Sequence, residues 1–241
     1  MRRVSQARRC AVPMLAATTE PTEAASRRAG VAGLYAVTPD WTDTDRLVRA
    51  VAAAVRGGAR VVQYRNKIAD AALRLVQARA LARSLQASGA LLIVNDDAQL
   101  AADVRADGVH IGEEDGALAA ARALVGPKAL IGVSCYNDPA RARAAVREGA
   151  DYVAFGSFFA SMVKPGARRA DIALLAEAQG LAVPVVAIGG IDAVNAAVLR
   201  DAGADAVAVI SAVFAAGDDR AIEAAARAIA AVFHSPAGRT P

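Results

Sequence analysis

Gln63, Arg65 and Lys67 alternate along one short segment, Gln63-Tyr64-Arg65-Asn66-Lys67. In extended backbone alternate side chains share a face, so three long polar groups are aimed together. Such a trio suits a phosphate or a polar ring. A second group is acidic: Asn95-Asp96-Asp97, then Gly112-Glu113-Glu114-Asp115. Mg2+ usually takes one or two carboxylates and fills its shell with water and phosphate oxygens, so Asp96 and Asp115 are candidate ligands. Each could equally cap the helix that follows it. Ser134 adds a hydroxyl donor. The long stretch Gly156–Gly166 contains Ser161, Val163 and Lys164 and reads as a lid or an anion clamp. Lysine is otherwise confined to Lys67 and Lys128, which favours a required ammonium at Lys164. Gly189-Gly190 and Ile210-Ser211 offer backbone amides to a phosphate, with Ser211 opening a short helix. His110, between Val109 and Ile111, reads as a core residue, and His234 lies in the tail. No Ser–His or Cys–His pair is visible to supply a covalent nucleophile.

These candidates all sit where short apolar runs stop. The runs are Leu34–Val37, Arg60–Tyr64, Ala90–Val94, Gly108–Ile111, Ala129–Val133, Tyr152–Phe155, Pro184–Ile188 and Ala206–Ile210. Between them lie Ala-rich amphipathic segments, among them Asp45–Val55, Ala71–Ala87, Pro139–Arg147 and Asp192–Asp201. Eight strand–helix units with no switch point, and no glycine-rich dinucleotide loop after the first strand, predict a single α/β domain closed as a (β/α)8 TIM barrel. In that fold chemistry lies at the C-terminal ends of the strands. An internal echo supports it: GGARVVQY at 57–64, ADGVHIG at 106–112, GADYVAFG at 149–156 and GADAVAVI at 203–210. Repeated helix-to-strand joints are expected where every crossover has one handedness.

The chain of 241 residues is long enough for one such domain, expected over residues 31–236. Hydrophobic residues make up 55% and aromatics 4%, so Ala, Val and Leu must build the core. The net charge of +4 does not imply a nucleic-acid partner. Residues 1–30 hold six arginines against Glu20 and Glu23, which accounts for all of it and leaves the domain neutral. That segment is expected to be a disordered basic extension; its apolar run Cys10–Ala17 is short, contains Pro13 and lacks a clear cleavage site. Cys10 and Cys135 show no metal or redox spacing and are read as free thiols of a cytoplasmic protein. No apolar stretch reaches the roughly 20 residues of a membrane span.

Taken in order, QYRNK (63–67), VND (94–96), DGVHIGEED (107–115), GVS (132–134), Lys164, IGGI (188–191) and Ile210-Ser211 resemble the thiamine phosphate synthase family. The resemblance runs from Gly33 to the last helix. It implies a Mg2+-dependent transferase that binds two small phosphorylated substrates at one mouth. Gln63, Tyr64, Arg65, Asn66, Lys67, Asn95, Ser134 and Lys164 would hold the aminopyrimidine diphosphate, with Arg65, Lys67, Ser134 and Lys164 serving catalysis. Asp96 and Asp115 would hold Mg2+. Ser161, Val163, Gly189, Gly190, Ile210 and Ser211 would take the thiazole phosphate. In the family, diphosphate leaves first and the thiazole nitrogen attacks the resulting pyrimidine-methyl cation. One departure stands out. The family pattern T-x-T-K reads Ser161-Met162-Val163-Lys164 here, so one hydroxyl is lost. A hydrogen bond to a charged group is worth roughly 1.5–3 kcal/mol, which predicts weaker thiazole phosphate binding. The alternatives are a thiazole tautomerase, which needs no diphosphate or metal set, and a non-catalytic thiazole phosphate-binding relative.

Overall fold

The computed structural model describes residues 23–160 and 169–234. Eight parallel strands close a barrel in sequence order: β1 (Gly33–Val37), β2 (Ala59–Tyr64), β3 (Leu91–Asn95), β4 (Gly108–Ile111), β5 (Leu130–Tyr136), β6 (Tyr152–Gly156), β7 (Val185–Ile188) and β8 (Ala206–Val209). The ring closes where β1 pairs with β8, Tyr35 opposite Ala208. Ten helices surround or cap it among the described residues: α1 (Glu23–Ala29), α2 (Thr44–Arg56), α3 (Ala71–Leu85), α4 (Ala98–Val104), α5 (Leu118–Val125), α6 (Pro139–Arg147), α7 (Ala173–Ala178), α8 (Ala196–Asp201), α9 (Ser211–Phe214) and α10 (Asp219–His234).

The strands are apolar on both faces because both faces are covered. One face packs on the helices, where small residues such as Ala50, Ala54, Ala78 and Ala142 let helix and sheet approach closely. The other fills the barrel with Tyr35, Val37, Val61, Ile93, Leu130, Tyr152, Val186 and Ala208. Two phenols in so narrow a space require small neighbours. A Cβ at Gly132 would lie 2.0 Å from Cζ of Tyr152, so glycine on β5 is what lets that ring cross the barrel.

Aspartates start the helices. Asp43, Asp70, Asp97 and Asp138 each accept a backbone N–H in the first turn of α2, α3, α4 and α6, a cap worth about 1 kcal/mol. Two differences from expectation concern helix limits. The segment Asp192–Asp201 is helical only from Ala196, because Asp192 and Asn195 build a turn with each other's backbone N–H groups. Residues 23–29, assigned to the basic extension, form α1. Arg28 of α1 donates to Asp151 at 2.7 Å, which ties the helix across the N-terminal end of the barrel. Among the described residues no helix is long and apolar enough to cross a membrane.

Candidate active site

The C-terminal ends of β2, β3, β4 and β5 bring one polar cluster together. At β3, Asp96 has a positive φ of 63°, and its N–H donates to the carbonyl of His110 on β4 at 2.8 Å. This turn separates the two aspartates of the segment. Asp97 becomes the cap of α4, accepting from Leu100 N–H, while the Asp96 carboxylate faces Nζ of Lys67 at 3.6 Å. Asp115 does not cap α5 either, since Ala117 occupies that position. Its Oδ2 instead accepts the Gly112 N–H at 2.6 Å, which folds the β4 loop back toward the barrel axis. Burial, then the neighbouring Asp115 carboxylate, raises the pKa of Asp96; Lys67 and the Asn95 side chain pull it down. Two carboxylates facing one another beside an ammonium form a site short of positive charge.

Arg65 is held rather than free. Its Nη1 donates to both carboxylate oxygens of Asp40 at 3.1 Å, and only 12% of its side chain is exposed. Asp40 also accepts the Lys67 N–H, and Thr38 Oγ1 bridges the Arg65 N–H and C=O at 2.8 Å each. The loop after β1 thus fixes the end of β2. A cavity of about 240 Å³ adjoins this edge, lined by Tyr64, Asn66, Lys67, Arg74, Asn95 and Asp96 among others. A larger one, about 580 Å³, lies at the opposite end of the barrel beside Arg28 and Asp205. It is remote from this cluster.

Below the mouth, Ser134 Oγ lies 2.9 Å from Nε2 of His110, and the His110 Nδ1 lies 3.1 Å from the hydroxyl of Tyr152. This corrects the expectation that no serine–histidine pair exists. The two residues stand far apart in sequence, and only the β4–β5 pairing brings them side by side. The pair is nevertheless poorly built for nucleophilic attack. Burial pushes the His110 pKa down to about 4, only partly offset by the charge of Asp115. Its second nitrogen meets a phenol where a serine triad has a carboxylate. A base this weak does little to activate a hydroxyl.

The sequence model of the family described as thiamine monophosphate synthase matches residues 34–213, spanning every strand but the first residue of β1. The chain belongs to the thiamine monophosphate synthase family. Thiamine-phosphate synthase of Methylobacillus flagellatus is 54% identical over 204 residues, 85% of this chain and 96% of that one. That of Chromobacterium violaceum is 55% identical over 203 residues, 84% of this chain and 97% of that one. Among solved structures, thiamine phosphate pyrophosphorylase from Pyrococcus furiosus shares the fold with a TM-score of 0.75 at 32% identity, covering 86% of this chain and 98% of that one.

Within this thiamine monophosphate synthase fold, the residues expected at the mouth divide into groups. Gln63, Arg65, Lys67, Asn95, Asp96, Asp115 and Ser134 stand on the ends of β2–β5 or in the loops just beyond. Tyr64 and Asn66 are placed differently. Strand alternation turns both away from the barrel axis, toward α3. The Tyr64 hydroxyl and Asn66 Nδ2 both donate to Oε1 of Gln77, and Asn66 Oδ1 accepts the N–H groups of Ile68 and Ala69. They brace the loop. Gly189 and Gly190, with φ of 105° and 65°, receive the start of the β6 loop: a Cβ at Gly189 would lie 2.0 Å from Oγ of Ser157, and one at Gly190 2.3 Å from the carbonyl of Ala160. Ile210 precedes α9 and Ser211 opens it, as the sequence suggests. Ser161, Val163 and Lys164 lie outside the described residues. Sequence reasoning gave no role to Asp40, Thr38, Tyr35 and Tyr152, and read His110 as core. The available signal was periodicity, since Tyr35 and His110 fall on the barrel-facing register of their strands.

Proposed function

We propose that this chain makes thiamine phosphate from an aminopyrimidine-methyl diphosphate and a thiazole phosphate, releasing diphosphate. The observation that carries the reading is the juxtaposition of Lys67, Asp96 and Asp115 at one mouth, in a chain more than half identical to thiamine-phosphate synthases over most of its length.

The donor set fits Mg2+. The Asp96 and Asp115 carboxylates face each other at the mouth. An ion held this way keeps positions for water and phosphate oxygens. Asp96 and Asp115 would hold it, and when bound it would neutralise charge on the diphosphate. Lys67, Arg65 and Lys164 would supply positive charge to the same group. Gln63, Asn95 and Ser134 orient the ring. The methylene C–O bond breaks with its electron pair leaving on diphosphate, and the thiazole nitrogen lone pair then forms the new C–N bond to the cation.

No protein nucleophile is called for, which suits the groups present. Cys135 is buried with its thiol pushed up to about 12, mainly by burial, and His110 stays neutral. Ser161, Val163, Gly189, Gly190, Ile210 and Ser211 are assigned to the thiazole phosphate, with Val163 lowering its affinity. The test is diphosphate release by the purified chain with both substrates and Mg2+, each omitted in turn. Release coupled to thiamine phosphate and requiring all three supports the reading. Thiazole phosphate binding without turnover would replace it with a tautomerase or a binding protein.

A further inference from the structure

A continuous chain of buried hydrogen bonds crosses the barrel interior beneath the mouth. Gln63 Nε2 lies 2.9 Å from the hydroxyl of Tyr35, which lies 2.8 Å from that of Tyr152. Tyr152 meets Nδ1 of His110 at 3.1 Å, and Nε2 of His110 meets Oγ of Ser134 at 2.9 Å. The five residues come from β2, β1, β6, β4 and β5. Tyr35 and Tyr152 are at most 1% exposed, and Gln63 and His110 at most 8%. Both ends of the chain are residues assigned above to the aminopyrimidine diphosphate.

The protons in this chain have one consistent order. An amide nitrogen can only donate, so Tyr35 accepts from Gln63 and must spend its single proton on Tyr152. Tyr152 then spends its own on the lone pair of His110 Nδ1. A neutral imidazole that accepts at Nδ1 carries its proton on Nε2 and donates it to Ser134. Burial keeps all three rings uncharged near neutral pH: it raises the pKa of both tyrosines and lowers that of the histidine. At the two ends, Oε1 of Gln63 accepts no hydrogen bond among the described residues, and the Ser134 proton is left for an outside acceptor.

We propose that Gln63–Tyr35–Tyr152–His110–Ser134 is a directional hydrogen-bond relay that sets Gln63 as an acceptor for a ring amino group and Ser134 as a donor to the same ligand. Tyr35, Tyr152 and His110 are positioning residues. The Gly132 position serves the same end, since any side chain there would displace the Tyr152 ring. The relay rests on the reading of the mouth as the aminopyrimidine diphosphate site for its ligand, but not for its internal order.

The order can be read without substrate. The chain has two histidines, so in a His234→Gln background the ring nitrogens of His110 are the only imidazole signals in a long-range proton–nitrogen spectrum of the full-length protein. The expected state is Nε2–H with bare Nδ1. Gln63→Glu, ionised at about pH 8, can only accept; Tyr35 must then donate to it, every bond reverses, and His110, three hydrogen bonds away, flips to the Nδ1–H form. Tyr152→Phe cuts the relay, so His110 should hold both tautomers, and Gln63→Glu should no longer move it. In turnover, Tyr152→Phe is expected to lower kcat/KM for the aminopyrimidine diphosphate roughly tenfold, the loss of one oriented hydrogen bond to a charged ligand. An Nδ1–H tautomer in the parent, or a tautomer indifferent to Gln63→Glu, overturns the relay. Should Gln63→Glu not fold, Tyr35→Phe takes its place: mixed tautomers support the relay and an unchanged Nε2–H state overturns it. If Gln63→Glu flips the tautomer as expected but the parent turns nothing over, the substrate assignment alone would fall.

Discussion

The two ends of the barrel are built on opposite plans. At the N-terminal end the same device recurs: the aspartate just before an even-numbered strand accepts a backbone N–H from the start of the preceding odd-numbered one. Asp107 takes Leu92 N–H, Asp151 takes Ile131 N–H and Asp205 takes Val185 N–H, at 2.8–2.9 Å. This is the physical content of the sequence echo at 106–112, 149–156 and 203–210. Its first copy departs, with Arg60 where the others have aspartate. At the C-terminal end the aspartate caps of α2, α3, α4 and α6 recur, but the segments between strand and cap differ from one to the next. β2 ends in long cations, β3 in Asn95-Asp96, β5 in a serine, and β7 in two glycines. Asp96 and Tyr136, two of the three non-glycine residues with positive φ among the described residues, sit there. Repetition marks what closure of a barrel requires, and the strand ends that depart from it carry the residues of the proposed site.

The comparison breaks most sharply if the mouth proves dispensable. Asp96→Ala and Lys164→Ala are each expected to cut thiamine phosphate formation by a factor on the order of 100 to 10,000, measured as kcat in steady state. For Asp96→Ala the thermal midpoint should fall by only a few degrees, the cost of alanine at a positive φ, because Asp96 caps no helix and its partner Lys67 is more than half exposed. Near-normal turnover in both variants would dissolve the site assignment.

At the other end the expected effects invert. Asp151 is 8% exposed and serves the Ile131 N–H, Arg28 of α1 and Nη2 of Arg122 at once. Asp151→Ala orphans a buried amide and two guanidinium groups that are themselves partly hydrated. The cost is about 2–4 kcal/mol, or about 5–15 °C in thermal midpoint for a domain of this size. The kcat of the molecules that remain folded should stay within about twofold of the parent, since none of the lost bonds reaches the mouth. A large loss of kcat at unchanged stability would show that the two ends are coupled.

The division also governs what could be read from the chain alone. The barrel was legible because buried strands are continuous apolar runs and the joints between them recur. The mouth was legible as a list, since Gln63, Arg65 and Lys67 are recognisable by alternation. The same alternation sets Tyr64 and Asn66 on the other face, where both bond to Gln77. Residues that act through partners were not legible. Asp40 looks like any loop aspartate until Arg65 lies against it, and His110 looks like core until β5 brings Ser134 to 2.9 Å. Which aspartate of Asn95-Asp96-Asp97 caps α4 depends on the positive φ at Asp96, a property of the turn that composition does not encode.

The smallest effect tests whether the repeated aspartates are equivalent, as their shared motif suggests, or graded by their partners. Asp205 accepts the Val185 N–H at 2.8 Å, as Asp151 does for Ile131, but among the described residues no guanidinium bonds to it. Asp107 is intermediate, with Arg27 at 3.7 Å and both side chains about one-third exposed. Water can replace an exposed acceptor, so Asp205→Ala should cost only about 0.5–1.5 kcal/mol, Asp107→Ala slightly more, and both less than Asp151→Ala. Urea denaturation of the three variants gives the order directly, provided the slope of the transition is unchanged. Equal losses would mean that the backbone hydrogen bond alone sets the value of this aspartate. A graded series would mean that the repeat supplies the closure while α1 and Arg122 make one of its copies the anchor of the N-terminal end.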